Sequence, residues 1–239
     1  MNPDQNLFDA LRAADYTAAE EALAAGADIN MRTSGMRSSN LFHFFMVSYG
    51  LEQARWLHSK GADIQATDSL GDNALMRAVE SNRREEFDAA LEMGVDINRP
   101  NDRGVTPVLR AALFEHGEYY LKRLLDAGAN PSVASEVGAT PLMAAAVEGR
   151  LEMVRMLFDA GADPRGFDEI GQNIIYAATM SANAKVLQLV LERTEEYRRT
   201  GEIDVNHAAS NHSEPISKAA MMSPEMTLLL LRADRKRVV

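Results

Sequence analysis

The segment Gly138–Arg150, GATPLMAAAVEGR, decides how the chain is read. Thr140 is a helix N-cap by residue type, and Pro141 follows at the first helical position, where its missing N–H costs nothing. Ala144, Ala145 and Ala146 favour helix and carry no bulk, so a neighbouring helix can approach closely. Gly149 ends that helix and permits a turn of positive φ. LEMVRMLFDA, from Leu151 on, sets Leu151, Val154, Met156 and Leu157 on one face, with Glu152, Arg155 and Asp159 toward water. Gly161 stands at the C-terminal cap of this second helix, and ADPRGFDEIG reads as a polar hairpin. The stretch holds almost no group able to do chemistry. Two short helices cannot bury both of their faces alone, so such a unit has to stack on others.

The unit recurs. GADIN at Gly26 returns as GADIQ at Gly61, GVDIN at Gly94, GANPS at Gly128 and GADPR at Gly161, at intervals of 35, 33, 34 and 33 residues. EIDVN at Glu202 follows after 41. Between these strings lie NLFHFFM, NALMRAV, TPVLRAA, TPLMAAA, NIIYAAT and EPISKAA, with LFDALRAAD as a first copy. The period, the TPL-x-x-AA segment and the GADIN string together resemble ankyrin repeats, most completely from Ser135 to Arg165. The fold expected from the resemblance is an all-α solenoid of seven helix-turn-helix units with short hairpin fingers. The approximate units are 1–31, 32–66, 67–99, 100–133, 134–166, 167–207 and 208–239, in a single domain.

The departures from the pattern carry their own expectations. Ankyrin repeats usually have His after Thr-Pro-Leu; only His43 keeps it, while Phe8, Met76, Leu109, Met143, Tyr176 and Ser217 fill the other slots. His43 is expected to be a structural hydrogen-bonding residue and the other slots apolar packing. His58, in the slot of Phe158, is expected to be half-buried. The finger MRTSGMRSSN is two residues longer than its counterparts, and one residue is inserted near FEHGEYY. The insertion TEEYRRTG, Thr194 to Gly201, is expected to extend the preceding helix by about two turns. Ser223-Pro224-Glu225 reads as an N-cap, and Arg235, Lys236 and Arg237 as a solvated helix end favoured by the dipole.

Composition bounds the chemistry. The chain has no cysteine, which removes disulfides, thiol catalysis and cysteine-ligated zinc. Its net charge of −10 argues against nucleic acid and anionic membranes as partners. No apolar run approaches the ~18 residues of a membrane span, and the start lacks a secretory signal pattern. A cytoplasmic location is expected. There is no G-x-S-x-G elbow, P-loop or G-x-G-x-x-G. Glu20–Glu21, Glu85–Glu86 and Glu195–Glu196 are adjacent on expected helices and so do not face each other, which makes them solvated faces rather than acid/base pairs. His207 and His212, with Asp204 and Glu214, resemble a metal set, but the spacing falls in a hairpin. No metal, cofactor or catalytic residue is expected.

A surface remains. The resemblance implies a groove lined by the first helices and the fingers, used for protein partners. In register, one groove slot holds Asp9, Phe44, Arg77, Arg110, Ala144, Ala177 and Lys218, followed by Val47, Glu80, Leu113, Phe114, Met180, Met221 and Met222. Arg32, Arg37, Arg99 and Arg103 lie on neighbouring fingers. Two readings stay open. In the first, Arg32, Arg77, Arg99, Arg103 and Arg110 dock anionic groups of a partner beside the aromatic anchors Phe44 and Phe114. In the second, the arginines pair internally with Glu80, Asp68, Asp72 and Asp102, and the phenylalanines are core. The function expected is that of a non-enzymatic protein binder or inhibitor, standing alone and monomeric when free. Alternatives are a neutraliser of a basic toxin through acidic surfaces and an effector or scaffold. From another class comes a metal or small-molecule binder or enzyme in the last two units, around the insertion.

Overall fold

The computed structural model describes residues 2–34, 37–207 and 214–235. Among these residues the only β-pairing is an isolated antiparallel bridge between Arg32 and Asn40, and the rest of the regular structure is helical. The chain divides into two compact units, Met1–Asp102 and Arg103–Val239.

The first unit holds three helix pairs: α1 (Pro3–Arg12) with α2 (Tyr16–Ala24), α3 (Leu41–Ser48) with α4 (Leu51–Ser59), and α5 (Ala74–Glu80) with α6 (Arg84–Glu92). The second holds α7 (Pro107–Leu113) with α8 (Glu118–Asp126), α9 (Pro141–Val147) with α10 (Leu151–Asp159), and α11 (Ile174–Met180) with α12 (Ala184–Arg193). It continues through the short α13 (Glu195–Thr200) to the pair α14 (Pro215–Met222) and α15 (Pro224–Arg235). First helices pack on first helices, as α7 on α9 and α9 on α11; second helices pack on second helices, as α10 on α12 and α12 on α15. The all-α ankyrin solenoid expected from the repeat pattern is the fold found.

Five of the seven first helices start on a buried cap, whereas α1 is capped by exposed Asn2 and α14 has no side-chain cap bond among the described residues. The side-chain oxygens of Asn40, Asn73, Thr106, Thr140 and Asn173 accept the N–H three residues on. Where Asn replaces Thr, its amide also donates across the unit: Asn40 to the Asp63 carbonyl at 2.7 Å, Asn73 to Asp96 at 2.8 Å and Asn173 to Asp204 at 3.0 Å. An asparagine amide carries donors on a nitrogen separate from its capping oxygen, so these residues cap the helix and tie the following loop at once. The repeated GADIN strings interlock similarly. Asn30 Oδ1 accepts from the Asp63 N–H and Gln65 Oε1 from the Asp96 N–H, each 31 or more residues away in sequence.

The alanine-rich first helices are buried almost throughout; Pro141 to Ala146 are all inside. In α10 the core side chains are Met153, Val154 and Leu157, while Leu151 and Met156 are only half-buried. The buried stripe is thus turned by one position from the expected one, because it faces both α9 and α12. His58 is exposed rather than half-buried, lying one position beyond Leu57, which takes the core contact.

The insertion does not extend α12. The helix stops at Thr194, whose hydroxyl donates to the Val190 carbonyl at 2.7 Å, and α13 begins as a separate element. The break lets α13 present Arg198 inward. That buried guanidinium donates to the Leu191 carbonyl at 2.7 Å and the Ala233 carbonyl at 3.2 Å, tying α12 and α15 together. Ser223 caps α15 as expected, accepting the Met226 N–H. Lys236 and Arg237, and the side chain of Arg235, lie outside the described residues.

Candidate functional site

In the first unit the residues of interest converge between α3, α5 and the preceding finger. Arg32 is exposed, yet its guanidinium donates to the Ser38 carbonyl at 2.6 Å and the Thr67 carbonyl at 3.3 Å. Arg99 donates to the Gln65 carbonyl at 2.8 Å. Arg37 grips Glu80 with two nitrogens, at 2.7 and 3.3 Å, and Arg77 bonds the same carboxylate from one turn away. Below them Asp68 Oδ2 lies 3.8 Å from Arg37 and 3.9 Å from Arg77, and Asp72 Oδ2 lies 3.9 Å from Arg37. Asp68 and Asp72 have side chains only 1% exposed. Three carboxylates therefore surround the two guanidinium groups of Arg37 and Arg77. The internal pairing expected for the arginines describes Arg77 with Glu80 and Asp68 and Arg37 with Asp72; among the described residues no ion pair joins Arg77 to Asp102.

A cavity of about 260 Å³ opens under this network, lined by Arg37, His43, Phe44, Val47, Asp68 and Arg77 among others. His43 is fully buried, and neither ring nitrogen has a hydrogen-bond partner among the described residues. This corrects the expectation that it is a hydrogen-bonding residue: the ring is buried and unpaired in the slot that Met76 fills in the next repeat. Burial pushes the His43 pKa down to about 4; Asp68 opposes this, and Arg32 and Arg37 add to it. The ring is neutral at pH 7. Phe44 is half-buried in an aromatic cluster, with ring centroids 5.5 Å from Phe8, 5.5 Å from Phe45 and 5.4 Å from Tyr49. It is neither wholly core nor a free anchor.

In the second unit Arg103 is exposed at a finger tip, Arg110 is half-buried on α7, and Phe114 is half-buried with its ring 5.3 Å from His116. The Arg103 carbonyl accepts the Glu136 N–H at 3.1 Å, and the Val137 carbonyl accepts the Glu169 N–H at 2.9 Å, so successive finger tips are joined by backbone. Gly138 makes that approach possible: its φ is +75°, and a Cβ there would lie 2.6 Å from the Phe167 carbonyl oxygen.

Ala144 and Ala177, in the same slot as Arg110, are buried, so this slot is not an open row in the second unit. The open row lies three residues further on. Leu113 and Val147 are 47% and 41% exposed at the ends of α7 and α9, and Met180 is half-exposed at the end of α11. Val137, Phe167 and Ile170 on the fingers are also more than 40% exposed. Val147 and these three finger residues were missed by sequence reasoning. The signal was present, since each is a large apolar residue where a hairpin or helix end calls for a polar one.

His207 does not form a metal set with the residues described. Its ring packs 4.8 Å from Phe167, and among the described residues no group of three or more acidic or histidine side chains is placed to hold an ion. His212 lies outside those residues. No helix among them is long and apolar enough to cross a membrane.

A family model described as ankyrin repeats, in three copies, matches residues 87–168 and 108–208. One similar relative is XBAT35 of Arabidopsis thaliana, named as a candidate E3 ubiquitin-protein ligase, 39% identical over 116 residues. The match covers 46% of this chain and 24% of that protein, so the chain spans about a quarter of the relative's length.

Proposed function

Because the chain belongs to the ankyrin-repeat family, we propose that it is a non-enzymatic protein–protein interaction module that binds, and by covering a surface inhibits, another protein. The observation that carries this reading is the row of apolar side chains, exposed Leu113 and Val147 and half-exposed Met180, repeated at one position of successive first helices. Isolated exposed apolar residues are ordinary on a protein surface, but a repeated, contiguous set marks an interaction site. The fingers flank it with Val137, Phe167 and Ile170. Arg32, Phe44, Arg77 and Arg99 in the first unit, and Arg103, Arg110 and Phe114 in the second, are proposed as further contacts. Arginine has five N–H donors, so Arg99 with one donor engaged can still reach a partner. Arg77, held by Glu80, chiefly shapes the surface.

The test is affinity capture of the tagged chain from its native lysate with mass spectrometry, run beside the Val147→Ser/Ile170→Ser variant. One stoichiometric protein retained by the parent and lost by the variant supports the reading. Equal recovery of the same proteins by both would remove this surface as the contact, and an empty capture by both would remove the interaction reading.

A further inference from the structure

We propose that the exposed face of the second unit takes one amphipathic, basic helix of a partner protein, its apolar side on Leu113, Val147 and Met180 and its Lys or Arg side chains on Glu136, Glu148 and Glu169. The inference rests on the interaction reading above and adds the chemistry of the partner.

Spacing argues for a helix. Neighbouring packed helices lie roughly 8–10 Å apart, so Leu113, Val147 and Met180, on α7, α9 and α11, form a row with steps of about that size. A helix rises ~1.5 Å per residue, and residues seven apart on one face are ~10.5 Å apart. A heptad-spaced apolar side therefore meets all three positions within roughly 15 residues, as in groove recognition by i and i+7 anchors.

Charge decides the sign of the flanks. Glu136 and Glu169 precede Val137 and Ile170 on the joined finger tips, and Glu148 follows Val147; all three are exposed. The cations on these elements include Arg103, Arg110, which is half-buried, Arg150, which is 3.9 Å from Glu148, and Arg165, which is paired with Asp163 and Glu202. Glu148 adjoins Val147 of the apolar row, and Glu136 and Glu169 adjoin the exposed finger residues Val137 and Ile170. In the first unit the equivalent helix-end position is Glu80, already occupied by Arg37 and Arg77. Among the described residues Glu136 and Glu169 make no ion pair and Glu148 has only the 3.9 Å contact with Arg150, whereas Glu80 of the first unit is held by both Arg37 and Arg77. Exposed carboxylates of this kind select a cationic partner.

The probes are three fluorescent peptides of roughly 18 residues on one helical pattern: leucine with lysine, leucine with glutamate, and serine with lysine. Each is titrated against the full chain and read by anisotropy. The leucine–lysine peptide is expected to bind at least ~10-fold tighter than either other peptide, a difference of about 1.4 kcal/mol. Glu136→Lys/Glu148→Lys/Glu169→Lys and, separately, Val147→Ser/Ile170→Ser are each expected to weaken it ~10-fold or more. Glu21→Lys/Glu52→Lys/Glu85→Lys changes net charge equally on exposed second-helix positions and is expected to weaken it less than ~3-fold. Equal binding of the leucine–glutamate peptide, equal loss in the second-helix variant, or no binding of the leucine–lysine peptide would overturn the proposal. If that happens while lysate capture still depends on Val147 and Ile170, only the partner chemistry is wrong. If capture fails as well, the interaction reading falls with it.

Discussion

His43→Met is the sharpest perturbation of the fold. The imidazole is buried with both nitrogens unpaired, in a slot that Met76 and Met143 fill in other repeats. A thioether fits that environment without a polar atom to satisfy. At pH 7 the variant is expected to gain about 1 kcal/mol, the lower end of what an unsatisfied buried polar group costs. The pH dependence is more diagnostic. The folded pKa of about 4 lies below the ordinary 6.5, so the unfolded chain binds the proton first. Stability from this group is complete above about pH 6.5 and is lost as pH falls toward 4. At ~1.36 kcal/mol per unit, the loss approaches about 3 kcal/mol. Urea titrations followed by Trp56, the chain's only tryptophan and a neighbour of α3 on α4, measure it. The parent is expected to lose about 2–3 kcal/mol more than His43→Met between pH 7 and 4. Identical pH profiles for the two proteins would refute the reasoning that the ring is neutral and unpaired.

Three further perturbations test other parts of the packing. Arg198→Ala removes the donors to the Leu191 and Ala233 carbonyls and is expected to cost about 2–4 kcal/mol, with faster amide exchange confined to α12, α13 and α15. Ala182 sits at φ +54° where the equivalent residue of the preceding pair is Gly149, so Ala182→Gly is expected to stabilise by about 1 kcal/mol, read as a higher Tm. Gly138→Ala drives a Cβ against the Phe167 carbonyl and Asp168 and is expected to cost at least about 2 kcal/mol while leaving helix content by circular dichroism unchanged below the transition.

The fold was legible because each local signal repeats in register: a cap, a proline or alanine run, a glycine and a polar hairpin, roughly every 33 residues. What was not legible came from contacts that the pattern does not encode. Arg77 could be placed on a surface by spacing, but its pairing with Glu80, and Arg37's seizure of the same carboxylate from 43 residues away, depend on how the finger folds over α5. His43 matched the pattern of its family slot, yet its ring has no hydrogen-bond partner among the described residues; Asn40 accepts the His43 backbone N–H and donates to the Asp63 carbonyl. The insertion's length suggested a longer helix. Thr194, turning its hydroxyl back to Val190, and Arg198, seeking two carbonyls, instead favour a break. The apolar row ending the first helices was partly visible as Leu113 and Met180, while Val147 was hidden within a run of alanines that all pack inward.

Photo-crosslinking in the native cell most directly tests whether this protein binds through its first-helix face. A benzophenone amino acid is placed at Val147 on that face or at Arg155, exposed on α10. The account predicts one discrete protein adduct from position 147 and none from position 155. An adduct from position 155 alone would place the partner on the second-helix face and contradict it.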